Sequence, residues 1–177
     1  MPAFTLSAPD NDSYMLKYFP EALRCAGCHR SLEPEWIDEQ FSLRETQWDA
    51  SYTYDGYCIV STRFRDVVRE RGARYIALPS VPSFFVLFTL ERVAFDVERR
   101  RTTFENLCTE CGCYHDVAGA TPAFLRPPPP PAGEMRGTDI EFGSGDEQHP
   151  LLVVGEELAD GLRAAQLLGV DLRAVAD

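Results

Sequence analysis

The sequence predicts an α+β fold: a single domain over residues 1–177 with a mixed or antiparallel sheet, two strand-helix-strand units and a four-cysteine zinc knuckle joining distant segments. Three observations predict it. Two Cys-x-x-Cys pairs, Cys25-Ala-Gly-Cys28 and Cys108-Thr-Glu-Cys111, stand far apart in the chain. Strand, helix and strand patterns follow one another over 57–78, and the same succession returns over 151–175.

The cysteine pairs carry the strongest chemistry. A Cys-x-x-Cys turn is tight enough for both sulfurs to face one point, and Zn2+ takes four soft ligands in a tetrahedron, so Cys25, Cys28, Cys108 and Cys111 close one structural site. Gly27 lies inside the first knuckle, and Gly112 follows the second, where glycine makes a positive φ cheap. Cys25-Ala-Gly-Cys28-His29 also spells a c-type haem attachment motif, and disulfides are a further reading. Both require export, and residues 1–20 show neither the basic start nor the apolar run of an export signal. A thioredoxin-type redox pair opens a helix after a buried strand, whereas Phe19-Pro20-Glu21 precedes this one. Cys113, His29 and His115 remain local competitors for a coordination place. Cys58, within Tyr57-Cys58-Ile59-Val60, reads as a small buried hydrophobe.

The length suits one core, and 45% hydrophobic content is ordinary for a globule. The longest apolar run, 81–90, is far short of a membrane span and reads as a buried strand. A formal charge of −11 disfavours binding to a phosphate backbone and suits a basic partner.

In chain order, residues 3–24 give a strand and an extended arm around the turn-rich Pro9-Asp10-Asn11-Asp12-Ser13. The stretch 33–55 holds seven acids and one arginine among Trp36, Phe41, Trp48, Tyr52 and Tyr54, so its aromatics fill the core beneath an acidic loop or face a partner. Ser61 is placed to cap a helix carrying Phe64, Val67 and Val68 on one face and ending at Gly72. The second unit places Leu158, Leu162, Ala165 and Leu168 on the helix face. Aligned without gaps, Val60 meets Val154, Phe64 meets Leu158 and Val68 meets Leu162; after a three-residue insertion Gly72 meets Gly169. This is a structural repeat. Between the copies, 83–90 and 92–104 read as paired strands leading to the second knuckle, with Phe84 to Phe88 covered on both faces. Three parts follow: 1–126 with the knuckle, a polyproline and Gly-rich acidic surface connection over 127–148, and the closing unit over 149–177. No nucleophile, HExxH or phosphate-loop motif accompanies the three histidines, so no catalytic residues are assigned.

The early CxxC, the later Cys108-Thr-Glu-Cys111-Gly112 with its lead-in 93–104, the prolyl stretch and the closing unit together resemble the bacterial double-CxxCG motif proteins. That family includes immunity proteins that neutralise toxins passed between neighbouring cells. His29 stands where the first motif has glycine, with both thiolates kept. The resemblance implies a non-enzymatic, cytoplasmic protein that binds one cognate toxin, with Zn2+ as a staple and neither nucleic acid nor membrane as partner. Acidity adds the expectation of a basic toxin met by Asp38, Glu39, Trp48, Tyr52, Asp139, Glu141, Asp146 and Glu147. The alternative is a zinc-ribbon nucleic-acid or transcription-associated module, for which Arg63, Arg65, Arg69, Arg71 and Arg74 form the one dense basic patch.

Overall fold

In the computed structural model, which describes residues 2–176, two mostly antiparallel sheets share one apolar layer with two helices. Strand β1 (Ala3–Ser7) lies between β10 (His149–Gly155) and β11 (Asp171–Ala174). Beyond β10 come β9 (Met135–Ser144), β8 (Tyr114–Ala118) and β7 (Thr103–Leu107). The smaller sheet runs β2 (Ala50–Tyr52), β3 (Cys58–Ser61), β5 (Phe84–Thr89), β4 (Ala73–Ala77). Helices α1 (Thr62–Val68) and α3 (Glu156–Ala164) pack on each other. Their faces meet as the periodicity predicts: Phe64, Val68, Leu158 and Leu162 are buried in the layer that holds Leu6, Val60, Leu87 and Val154. Ser61 caps α1 by accepting the Phe64 N–H. The helix ends earlier than its pattern suggests, at Arg69, which takes a positive φ of 55°.

The repeat is present in three dimensions. In each unit the two strands joined by the helix do not pair directly; one antiparallel strand fits between them, β5 in the first unit and β1 in the second. The two units also exchange matched contacts. Met135 N–H donates to the Arg71 carbonyl at 2.9 Å, and Ala50 N–H donates to the Leu168 carbonyl at 3.3 Å. These pairs are equivalent, because Ala50 pairs with Val60 as Met135 pairs with Val154. The following residues are Gly72 at φ +82° and Gly169 at φ +80°. A Cβ at Gly72 would lie 2.1 Å from the Met135 oxygen, and one at Gly169 would lie 2.4 Å from the Ala50 oxygen. Residue i meeting j while j′ meets i′ is the signature of a two-fold arrangement, here within one chain.

Two expectations are overturned. The hairpin of 83–90 with 92–104 does not form, because both edges of β5 are already taken by β3 and β4. Instead β6 (Arg92–Val93) runs parallel to β9, Asp96 caps a one-turn helix α2 (Val97–Arg100), and Arg101 ends it in the left-handed region. β7 then pairs with β8. The stretch 127–148 is not a surface connection throughout, since 135–144 form β9 in the interior of the large sheet, with Met135 and Thr138 fully buried. β5 is covered on both faces as expected, with Leu87 in the shared layer and Val86 in a second cluster. That second cluster is where the aromatic-rich N-terminal segment packs, through Met15, Leu16, Phe19 and Phe41, so Phe41 and half-buried Trp36 serve the core.

Candidate metal centre

The first knuckle hangs from a segment with almost no strand: short 3-10 turns at Leu16–Tyr18 and Glu21–Leu23, then an isolated bridge from Arg24 to Ser31. The second sits on the tip of the β7–β8 hairpin. Their backbones match. Cys25 N–H donates to the Arg30 carbonyl and Cys108 N–H to the Cys113 carbonyl, each at 2.9 Å. His29 N–H donates to the Cys25 carbonyl at 2.9 Å, as Gly112 N–H does to Cys108 at 2.8 Å. His29 takes φ 60° where Gly112 takes φ 72°, so histidine keeps the turn that glycine would make. Gly27 matters for another reason, the close approach of the two knuckles. A Cβ there would lie 2.9 Å from the Cys108 sulfur, so a side chain would hold them apart.

The approach brings the Cys25, Cys28, Cys108 and Cys111 sulfurs within 4.8 Å of one another, a group that can hold a metal ion. Cys25 to Cys108 and Cys28 to Cys111 are both 3.7 Å. A tetrahedron of thiolates at about 2.3 Å from a central ion has edges of about 3.8 Å, whereas a disulfide is about 2.05 Å. Electrostatics point the same way. The Cys28 and Gly27 N–H groups draw the Cys25 thiol down to about 6, with help from Cys108. The Arg30 N–H acts to lower Cys28, but burial and the neighbouring Cys25, Cys111 and Cys108 sulfurs push it up to about 12. A thiolate is thus favoured at Cys25 and disfavoured at Cys28 beside it, a tension that a cation relieves.

Cys113, His29 and His115 lie outside the four-sulfur group. The Cys113 thiol faces the Cys111 carbonyl, His29 faces Glu21, and His115 faces Asp116. Cys58 is buried in the shared layer as expected, and that burial pushes its thiol up to about 12.

Around the sulfurs is a brace that the sequence does not announce. The Asp146 carboxylate accepts from Arg24 Nη1 and from the Ser31 N–H, both at 2.7 Å. Arg30 donates to Glu141 and to Gln148, both at 2.6 Å. The Gln148 amide then donates to the Tyr114, His115 and Gly143 carbonyls. Charged hydrogen bonds of this kind contribute roughly 1.5–3 kcal/mol each, and this set fixes the first knuckle to β8 and β9. The residues lie more than a hundred positions from the knuckle they hold, so only composition spoke for them, and it suggested a surface loop.

The eight residues assigned to a partner separate accordingly. Asp38 and Tyr52 are 7% and 8% exposed, so they are not surface groups: Asp38 Oδ1 receives the Gln40 N–H, and Tyr52 lies in the shared layer. Glu141 and Asp146 belong to the brace. Trp48 is half-buried with its indole N–H on Glu45, and Asp139 is exposed while accepting the Phe95 N–H. Glu39 and Glu147 are exposed. No helix among the described residues is long and apolar enough to cross a membrane. No family model matches the chain, and no curated protein matches it.

Proposed function

We propose that this chain is an immunity protein, a non-enzymatic binder that covers a cognate bacterial toxin of basic character in the cytoplasm, with Zn2+ as its structural staple. The observation that carries the reading is the closed sulfur set: with four protein ligands on one ion, no coordination place remains for a substrate, which suits a structural metal and not a catalytic one. Zinc is the ion that a compact set of four thiolates at this spacing favours. The ion joins an acidic, strand-poor segment to the body of the fold, and the resemblance to the double-CxxCG proteins supplies the class of partner. The nucleic-acid alternative is weakened by the state of its arginines. Arg63 pairs with Asp49, Arg65 with Asp66, Arg71 with Glu157 and Arg74 with Glu35, and Arg69 donates to the Asp66 carbonyl.

The direct test is whether the protein encoded beside this chain co-purifies with it and whether this chain restores growth to cells making that protein. Growth arrest unrelieved by this chain, with no complex formed, would remove the reading. Exposed acids give the second test. Neutralising Glu39, Asp139 and Glu147 together slows association with the toxin, and the slowing shrinks as salt rises. Exposed Tyr14, Tyr18 and Tyr54 are the aromatic anchors, and truncating one of them weakens binding more than losing any single acid.

A further inference from the structure

A cavity of about 190 Å³ lies between the two sheets, walled by β5 on one side, β9 and β10 on the other, and the chain that follows the first knuckle. Its floor is apolar, with Leu16, Val86, Phe88 and Leu152. We propose that it binds a small organic carboxylate with an apolar body, a role beyond that of toxin binding and independent of it.

The argument is a census of the polar groups in the wall. The carboxylates there are engaged: Asp55 accepts the Met15 and Leu16 N–H groups at 3.1 and 2.6 Å, Asp146 and Glu141 hold the knuckle brace, and Glu35 pairs with Arg74. Arg30 turns Nη1 and Nη2 to the same brace. Tyr57 and Arg92 add donors outside it. Tyr57 is only 7% exposed and lines the cavity, yet its hydroxyl has no hydrogen-bond partner among the described residues. The Tyr57 oxygen is not among the fully buried unpartnered atoms, so it opens onto the cavity, where it can donate to a ligand. Arg92 also lines the cavity; its side chain is 48% exposed, donates from Nη1 to the Thr138 carbonyl at 3.3 Å and lies 3.9 Å from Glu141, which leaves its other N–H groups for a ligand. The guanidinium reaches this position only because residue 137 is glycine, where a Cβ would lie 2.6 Å from Arg92 Nη1. Of the remaining groups, His149 stacks on Tyr52 and turns Nδ1 to the Glu147 carbonyl. Underused donors beside an apolar floor, with every wall carboxylate taken, select a ligand whose polar end only accepts. A carboxylate does so and matches the guanidinium fork.

The test titrates 4-fluorobenzoate and the aliphatic 4-methylpentanoate against the full chain, with neutral 4-fluorobenzamide as the isosteric control. Amide shifts at Gly56 and Thr89 report occupancy. At least one acid binds and moves those two signals, and the benzamide binds about tenfold more weakly or worse, as expected for loss of a charge-assisted hydrogen bond. Arg92→Gln produces a loss of the same order, and Tyr57→Phe, which keeps the ring, produces a smaller one. Gly137→Ala keeps the arginine charge but displaces it, and weakens binding as Arg92→Gln does. Thermal transitions confirm that each variant is folded, and Tyr57→Phe alone decides the matter if the other two are not. Equal binding of acid and amide overturns the proposal. So do shifts away from the cavity, unchanged affinity in Tyr57→Phe, and no binding at about 10 mM, well above a fragment Kd near 1 mM.

Discussion

The duplicated core and the N-terminal segment over 9–49 are held in different ways. In the core every strand is paired, and the two units grip each other through equivalent backbone contacts at Gly72 and Gly169. The segment has two 3-10 turns and isolated bridges, and it stays on the back of the small sheet through a few discrete ties. Those ties include the cysteine group, Asp146 under Arg24 and Ser31, Arg30 on Glu141 and Gln148, Asp55 under Met15 and Leu16, Asp49 at the end of the segment, and the apolar contacts of Phe19 and Phe41. Order spread over ladders and a shared apolar layer fails as a unit. Order resting on a few ties fails locally, and the difference can be measured.

The largest expected effect separates the two regions. Protein purified without added metal is expected to carry about one metal ion per chain, zinc on the proposed reading, because the four sulfurs form one group that could hold an ion. Chelation or Cys108→Ser releases the segment and the β7–β8 tip: their amides exchange rapidly, while β1, β9 and β10 stay protected. Uniform loss of protection would mean that the segment is part of the core, and absence of metal would remove the staple.

Next in size is the core itself. Phe64→Ala and Leu162→Ala each remove a side chain at most 1% exposed, and each is expected to cost roughly 2–5 kcal/mol in denaturant unfolding. Because the two residues lie in one apolar layer, their effects will not add simply. Denaturation midpoints equal to wild type would refute the packing of α1 on α3.

These tests also mark where the sequence was legible. The two cysteine pairs, the Ser61 cap, the buried helix faces and the alignment of the two units all rest on local spacing, which the fold preserves. What was not legible depended on competition between distant segments. Residues 92–104 alternate well enough to pair with 83–90, and nothing local reveals that β3 and β4 occupy both edges of β5. β9 was hidden by composition, since Gly137, Asp139, Glu141 and Gly143 read as loop. Gly137 is instead the place where Thr89 and Arg92 cross the strand, and Glu141 is a partner of Arg30. Buried Asp38 and Tyr52 were misplaced for a related reason, because an acidic aromatic stretch looks the same whether it covers the surface or lines the interior.

The two-fold relation of the units is tested by glycine. Gly72→Ala and Gly169→Ala each force an L residue to positive φ, at about 1–2 kcal/mol, and push a Cβ into a backbone oxygen of the opposite unit. Gly112→Ala is the control, with φ +72° and nothing within 4 Å of the added carbon. Both core variants should therefore lose more stability than the control, and by similar amounts. If only one does, the contacts are alike in geometry but not in energy.

The smallest effect distinguishes the helix starts. Phe64 N–H in the first unit donates to Ser61 Oγ at 3.2 Å, while its counterpart, Leu158 N–H in the second, donates to the Ala132 carbonyl at 3.0 Å. The capping position of α3 is Gly155, where a Cβ would lie 2.1 Å from the Pro131 oxygen, so a serine has no room there. One cap thus belongs to a side chain and the other to the passing chain. Ser61→Ala is expected to cost about 1 kcal/mol, the usual size of a lost cap. Asp49, which accepts the Ser61 hydroxyl, keeps its bonds to Arg63 and to the Leu168 N–H and does not add a buried unpaired charge. A neutral Ser61→Ala in denaturant unfolding would mean that a backbone carbonyl takes over at α1 as Ala132 does at α3, and the units would then be alike at this position too.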